Sequence, residues 1–222
     1  MISWLTFAGI FVLFFATHSI PVRPPVKRHI VNLLGSRGFT LAYSALSLAM
    51  LALLIWAARH APFVELWTEA PWHRTTLWIG MLIACLLFSV SIGQPNPFSF
   101  GGGNRGVFDP HHAGIVGYIR HPLLVVLALW AGLHGLVNGD LAHVLLFGTL
   151  GLFALAGQRI IDVRKRRQLG IKHWGNLRNT SREHRHIPRL SRAFLLRIGG
   201  GLAMYLILVA LHPLIIGRSV FL

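Results

Sequence analysis

The 222-residue chain is 54% hydrophobic and only 12% charged, with a mean hydropathy of +0.61 and a formal net charge of +15. A soluble domain carries roughly twice that share of charged residues, so the composition excludes an ordinary water-soluble globule. The charge does not indicate a nucleic-acid partner either: 18 of the 21 Lys and Arg residues fall in three connections between apolar stretches. That pattern marks membrane topology and attraction to anionic headgroups.

Six apolar stretches are predicted as transmembrane helices: Ile2–Ile20, Phe39–Ala58, Thr75–Ile92, Leu123–Val137, Leu141–Gly157 and Ile198–Ile216. Helix is required because lipid supplies no partner for free backbone groups, and no alternating strand pattern is visible. The expected fold class is all-α, a polytopic helical membrane bundle with one domain over residues 1–222. Arg23, Lys27, Arg28 and Arg37, then Arg105 and Arg120, then twelve residues from Arg159 to Arg197 share one side. The positive-inside rule makes that side cytoplasmic and places both termini outside. The first stretch has no preceding Lys or Arg and no small-residue cleavage site, so it reads as a retained helix rather than a signal peptide.

Taken in order, the first span ends in Thr17-His18-Ser19-Ile20-Pro21, where the proline cannot continue the helix. His18 is therefore a last-turn histidine, open to a headgroup or carbonyl contact or to a ligand role. Tyr43, Ser44 and Ser47 share one side of the second span, where hydroxyls bond the previous turn or a neighbouring helix. Trp67, Trp72 and Trp78 fit an interfacial belt on the outer side. The lone Cys85 cannot form an intrachain disulfide. Gln94 to His112 is a Gly- and Pro-rich connection with no Walker pattern, and His111-His112 reads as a surface pair.

Arg120-His121-Pro122 marks the entry to the fourth span, with Arg120 snorkelling, Pro122 starting the helix and His121 bonding a loop carbonyl. Asn138-Gly139-Asp140 turns this span into the fifth as a short hairpin. The fourth span reaches only about 22 Å against a hydrocarbon core of roughly 30 Å. Either Ile115 to Tyr118 is embedded as well, or the hairpin stops short of the far side. Trp130, His134 and Asn138 recur at i, i+4 and i+8 on one face. Gly148, Gly151, Ala154 and Gly157 recur three apart on the next span, as a helix-packing seam or as a wall against a flat cofactor. The polar stretch after it carries Asp162 and Glu183, which form no catalytic pair.

An intramembrane ionisable residue is a functional-site candidate. Two imidazoles from different helices are the axial ligands of a low-spin haem. His18 and His134 are the expected metal-ligating pair, with Ser19 and Asn138 as polar neighbours that fix ring orientation.

The run GlyTyrIleArgHisProLeuLeu, the run AlaLeuTrpAlaGlyLeuHisGlyLeuValAsnGlyAspLeuAla, Thr17-His18-Ser19 and LysArgArgGlnLeuGly together resemble the NnrU family of bacterial membrane proteins over nearly the whole chain. That resemblance implies a role tied to denitrification and nitric oxide metabolism. It also implies kinship to the plastid 15-cis-zeta-carotene isomerase, a haem b membrane enzyme whose axial histidines match His18 and His134. The isomerase carries a cysteine three residues before the second histidine, where this chain has Ala131, so ligand exchange by cysteine is not implied here. The expected cofactor is haem b, with Trp130, Arg120 and His121 among the residues that surround it, and no catalytic residue is assigned. Membrane lipid and a lipophilic small molecule are the expected partners, and the sequence does not fix the oligomeric state. A non-catalytic assembly or haem-handling factor remains open. ArgHisPro followed by a helical hairpin also resembles isoprenylcysteine carboxyl methyltransferases, in which that histidine faces S-adenosylmethionine.

Overall fold

The computed structural model describes residues 1–101, 107–185 and 190–217. Arg105, most of the glycine-rich run that follows Phe100, and Arg218 lie outside the described residues. Among those described the chain is all helical: α1 (Trp4–Ser19), α2 (Pro24–His60), α3 (Pro71–Ser91), a short 3-10 turn (Pro110–His112), α4 (Ile115–Tyr118), α5 (Pro122–Asn138), α6 (Leu141–Leu169), α7 (Ile171–Glu183) and α8 (Arg192–Ile216). Four of them, α2, α3, α6 and α8, are long and apolar enough to cross a membrane, whereas α1 and α5 are shorter apolar helices. Only 6% of the apolar window of α8 is buried within the protein, so its leucines and isoleucines form a surface suited to lipid. The chain is a multi-pass helical membrane protein.

Contacts divide it into two units, Met1–Thr68 with Asn138–Leu146, and Glu69–Val137 with Phe147–Leu222. In the first, Ser3 caps α1 by accepting from the Thr6 amide at 3.1 Å. α1 packs on α2 through Phe7, Phe14, Phe39 and Leu54, the last fully buried. The prolines after α1 start a helix rather than a loop. Pro24 and Pro25 occupy the first helical positions, where a missing N–H costs nothing. α2 then breaks at Gly35, whose φ of 71° only glycine adopts without strain. Tyr43 donates to the His18 carbonyl at 3.1 Å and Ser47 to the Tyr43 carbonyl at 2.8 Å, as the hydroxyl pattern suggested. At the hairpin turn the Gly139 carbonyl accepts from the amides of Leu66 and Trp67 at 2.8 and 3.1 Å. Gly139 has a φ of 67° and is pressed against the Trp67 backbone, so a side chain does not fit there.

In the second unit α3 and α8 form the main helix pair. Ser89 donates to the Arg197 carbonyl at 2.6 Å, and the Arg197 guanidinium donates back to the carbonyls of Ser89 and Ile92 at 2.8 Å each. A Cβ at Gly201 would lie 3.1 Å from backbone atoms of Cys85 and Leu86, so this crossing depends on a residue without a side chain. α5 meets α6 where a Cβ built on Gly151 would lie 3.6 Å from Ala131 and one on Gly157 3.6 Å from Leu124, while Gly148 faces open space. Part of that row therefore packs against α5. Ile115–Tyr118 does not lengthen α5, because Ile119 is extended at φ −123° and ψ 102° and separates α4 from it.

Gly201→Val is expected to lower stability in detergent by about 1–3 kcal/mol, the usual cost of overpacking. Gly132→Ala, at a glycine with open space around it, should leave the thermal midpoint unchanged. Equal midpoints for the two variants would show that the α3–α8 crossing is not close.

Candidate functional site

Where α5 begins, three segments of the chain are tied together around one carboxylate. Asp162, in the part of α6 beyond its most apolar stretch, accepts from Arg120 through both oxygens: Nε at 2.9 Å and a terminal nitrogen at 2.6 Å. Nε2 of His121 lies 2.9 Å from the same carboxylate, and Nδ1 lies 3.1 Å from the Ser99 hydroxyl. His121 is only 1% exposed. One tautomer satisfies the whole set, with Nε2–H donating to Asp162 and Nδ1 accepting from Ser99; it is assigned from the network. The 3.3 Å approach of Arg120 Nε to His121 Nε2 is then a contact rather than a second bond, since two donors face each other there. Asn96 closes the loop by donating to the Arg120 carbonyl at 3.1 Å while accepting from the Phe98 amide at 2.9 Å.

Two expectations are corrected here. Arg120 does not snorkel; it is held bidentate by an acid 42 residues away. His121 bonds a hydroxyl and a carboxylate, not a loop carbonyl. Its burial pushes the imidazole below the ordinary histidine value, against the pull of Asp162, and Arg120 adds to the lowering. His121 is therefore neutral at physiological pH.

Beside this network lies a basic cavity of about 250 Å³, walled by Arg120, Arg178, Arg182 and Arg185 together with Gly117 and Tyr118. Phe98 and Val116 also line it, and Trp174 packs with them in the buried core behind. The guanidiniums of Arg166, Arg178 and Arg120 lie 4.3, 5.4 and 5.7 Å from the Trp174 ring. α7 supplies Trp174, Arg178, Ser181 and Arg182, with Arg185 just past its end, and the Gly117 backbone approaches so closely that a Cβ there would sit 2.8 Å from the Ser181 carbonyl. A second, largely apolar cavity of about 700 Å³ shares Val116 with the first. Ile83, Leu86, Leu87 and Phe194 give it an apolar wall, and Gln94, Asp109, His112 and Arg197 a polar edge.

The residues expected to hold a cofactor fall into three groups. Arg120 and His121 belong to the Asp162 network. Trp130 and His134 meet on α5, where His134 Nδ1 donates to the Trp130 carbonyl at 2.8 Å. The His134 ring centroid lies 5.1 Å from Trp130 and 5.3 Å from Phe147. His212 of α8 is near enough to act on His134 electrostatically. His18 and Ser19 belong to the first unit, with Asn138; there His18 Nδ1 donates to the Phe14 carbonyl at 3.2 Å, with the Phe14 ring 4.2 Å away and Tyr43 5.9 Å away. Ser19 is exposed. Among the described residues no group of three or more His, Cys, Asp or Glu side chains could hold a metal ion by itself. His112 pairs with Asp109 at 2.7 Å on the exposed surface, as a surface histidine pair should.

Sequence reasoning missed Ser99, Asn96 and Asp162 as partners of Arg120 and His121, and it missed the face of α7 altogether. One signal was available: Trp174, Arg178, Ser181, Arg182 and Arg185 recur at helical spacing.

Asp162→Asn leaves Arg120 without its counter-charge in a poorly hydrated place, and it should cost ~3 kcal/mol in a detergent melt. The sign of the pH effect follows from His121. The folded chain holds it at a lower value than the unfolded chain, so its contribution is complete above pH 6.5 and is lost as the pH falls below that. A thermal midpoint that falls with pH in that range in the native chain, and less in His121→Gln, is the expected result.

The sequence model of the family described as NnrU protein matches residues 6–220. No curated protein and no solved structure matches the chain.

Proposed function

The chain belongs to the NnrU family, and we propose that it is a haem b-binding multi-pass membrane protein with His18 and His134 as the iron ligands. The observation that carries this reading is that His18 and His134 lie in the two shorter apolar helices, α1 and α5, and are prepared alike for ligation. Each of the two histidines donates Nδ1–H to the carbonyl one turn earlier, at 3.2 Å and 2.8 Å, which fixes Nε2 as the nitrogen with the in-plane lone pair. That is the form of imidazole that ligates iron, with the other ring nitrogen anchored. Each imidazole, taken by itself, is the donor type that haem iron takes and lies among aromatic rings. Haem, when bound, supplies one-electron redox chemistry in an apolar medium.

This chain's own residues would do the rest. Trp130, Phe147 and His134 form a mutual ring cluster, Phe14 and Tyr43 flank His18, and the cavity of about 700 Å³ has a size suited to a lipophilic small molecule. The substrate reading, a cis–trans isomerisation of a polyene or support of nitrogen-oxide reduction, comes from resemblance. The non-catalytic alternative, a haem-handling factor, uses the same ligands without turnover. The methyltransferase reading needs a His121 that faces a cofactor; with 1% exposure and both ring nitrogens bonded, His121 holds the network instead.

We infer from the positive-inside rule and the family that α7 lies on the cytoplasmic side of a bacterial inner membrane, with both termini periplasmic. A phosphatase that works only in the periplasm, fused after α8, should be active; the same enzyme fused after α7 should not.

Detergent-purified protein from haem-sufficient cells is expected to show a Soret band that shifts on reduction. His18→Ala and His134→Ala should each abolish the low-spin form. A colourless protein overturns the proposal. Loss of the low-spin form in His212→Ala, with His18→Ala unaffected, would replace His18 as the second ligand. Retinal-free, poly-cis carotenoid offered to the haem-loaded protein separates the isomerase from the haem-handling reading by whether its absorption changes.

A further inference from the structure

The Asp162 network leaves the neighbouring basic cavity unexplained, because that network already satisfies Arg120. The cavity wall carries four arginines and no acid. Arg178, Arg182 and Arg185 come from α7 and its end, and Arg120 from the threshold of α5. Arg166 adds a fifth guanidinium over the Trp174 ring. The one acid that acts on Arg178 is Asp162, while Arg120, Arg182 and Arg166 all oppose its charge. Burial is the largest influence on Arg178, and with those like charges it pushes the guanidinium below its ordinary value. Packing this many like charges over one indole is costly unless an anion is to enter among them.

Two donors here also have no acceptor. Nε of Arg178 is buried without a hydrogen-bond partner, and so is Nε1 of Trp174, the indole that Arg178 covers. A buried donor left unpaired carries a desolvation penalty that a ligand oxygen removes. Arg185 is held at the wall by donating Nε to the Gly117 carbonyl at 2.9 Å, with its guanidinium over Tyr118 at 5.6 Å. A single carboxylate would leave most of this charge uncompensated. A phosphate carries up to two charges and three acceptor oxygens, which suits several guanidinium forks at once.

We propose that the cavity formed by Arg120, Arg178, Arg182 and Arg185 is a phosphate-binding site. The phosphate comes either from a soluble phosphate compound or from the headgroup of a phospholipid. The lipid source is compatible with the apolar cavity that meets this one at Val116, where an acyl chain could lie. The inference is independent of haem, since none of its residues is an iron ligand.

The test uses the full chain purified in an uncharged detergent, titrated calorimetrically with inorganic pyrophosphate at constant ionic strength. A second arm places the chain in phosphatidylcholine nanodiscs with and without phosphatidic acid, and reads the thermal midpoint by tryptophan fluorescence. Arg182→Gln removes an exposed wall arginine with no other role and should fold normally. Arg178→Lys keeps the charge and loses the fork. Each is expected to weaken the response by about tenfold or more, the usual size of a charge-assisted hydrogen bond. Arg167→Gln, an exposed α6 arginine outside the wall, should change it less than about twofold. Saturable pyrophosphate binding with this mutational pattern establishes a soluble phosphate ligand. Stabilisation by phosphatidic acid alone, with the same pattern, establishes a lipid headgroup. Failure of both anions, or equal losses in Arg167→Gln and Arg182→Gln, overturns the proposal.

Discussion

One carboxylate organises the end of the protein where its charged residues collect. Asp162 receives Arg120 through both oxygens and His121 through one, so α6, the threshold of α5 and the loop that carries Ser99 and Asn96 are tied to a single side chain. The tie is one of charge and donor count more than of packing. Remove the acid, and a guanidinium and an imidazole lose their acceptor in surroundings that water hardly reaches. Because Arg120 is fixed there, its charge is also fixed at the edge of the basic cavity. The network thus sets the position of Arg120 as one wall of the proposed phosphate site.

The helices were legible because lipid imposes a simple rule. Long apolar runs must be helical, and all six expected spans are helices, with ends displaced by a few residues except in α2 and α6. What hydropathy could not register were helices that serve a different purpose. α7 is polar and amphipathic, so it read as a connection. The first third of α2, Pro24 to Leu34, is basic and proline-led, so it read as a loop. The partners of Arg120 and His121 were illegible for another reason. Ser99 and Asp162 are 22 and 41 residues from His121, and no local spacing reports a contact made only when loops and helices converge. Asp162 was seen as an acid among many bases, and its role came from the fold.

The histidines divide along the same line. His121 belongs to the recognisable triplet, yet it is sealed in with both nitrogens occupied. His134 has a less conspicuous sequence setting, but its ring is anchored through one nitrogen and packs beside two aromatic rings that also touch each other. Anchoring through the preceding carbonyl follows from helix geometry alone, and His60 and His184 show it too. The anchor therefore prepares a histidine for ligation without selecting it. What sets His134 and His18 apart is their placement in the two short apolar helices.

The break at Gly35 bears on how the first unit meets a bilayer. A straight 37-residue helix would extend about 56 Å, nearly twice the hydrocarbon thickness, and would carry Lys27 and Arg28 far from the surface. With the bend, the segment before Gly35 can lie flat among headgroups, while the 25 residues after it make a crossing of ordinary length. The glycine therefore converts one overlong rod into an anchor and a span. The basic side chains of the first segment, Lys27 and Arg28, suit the phosphates of lipid headgroups, which fits an anchor rather than a span.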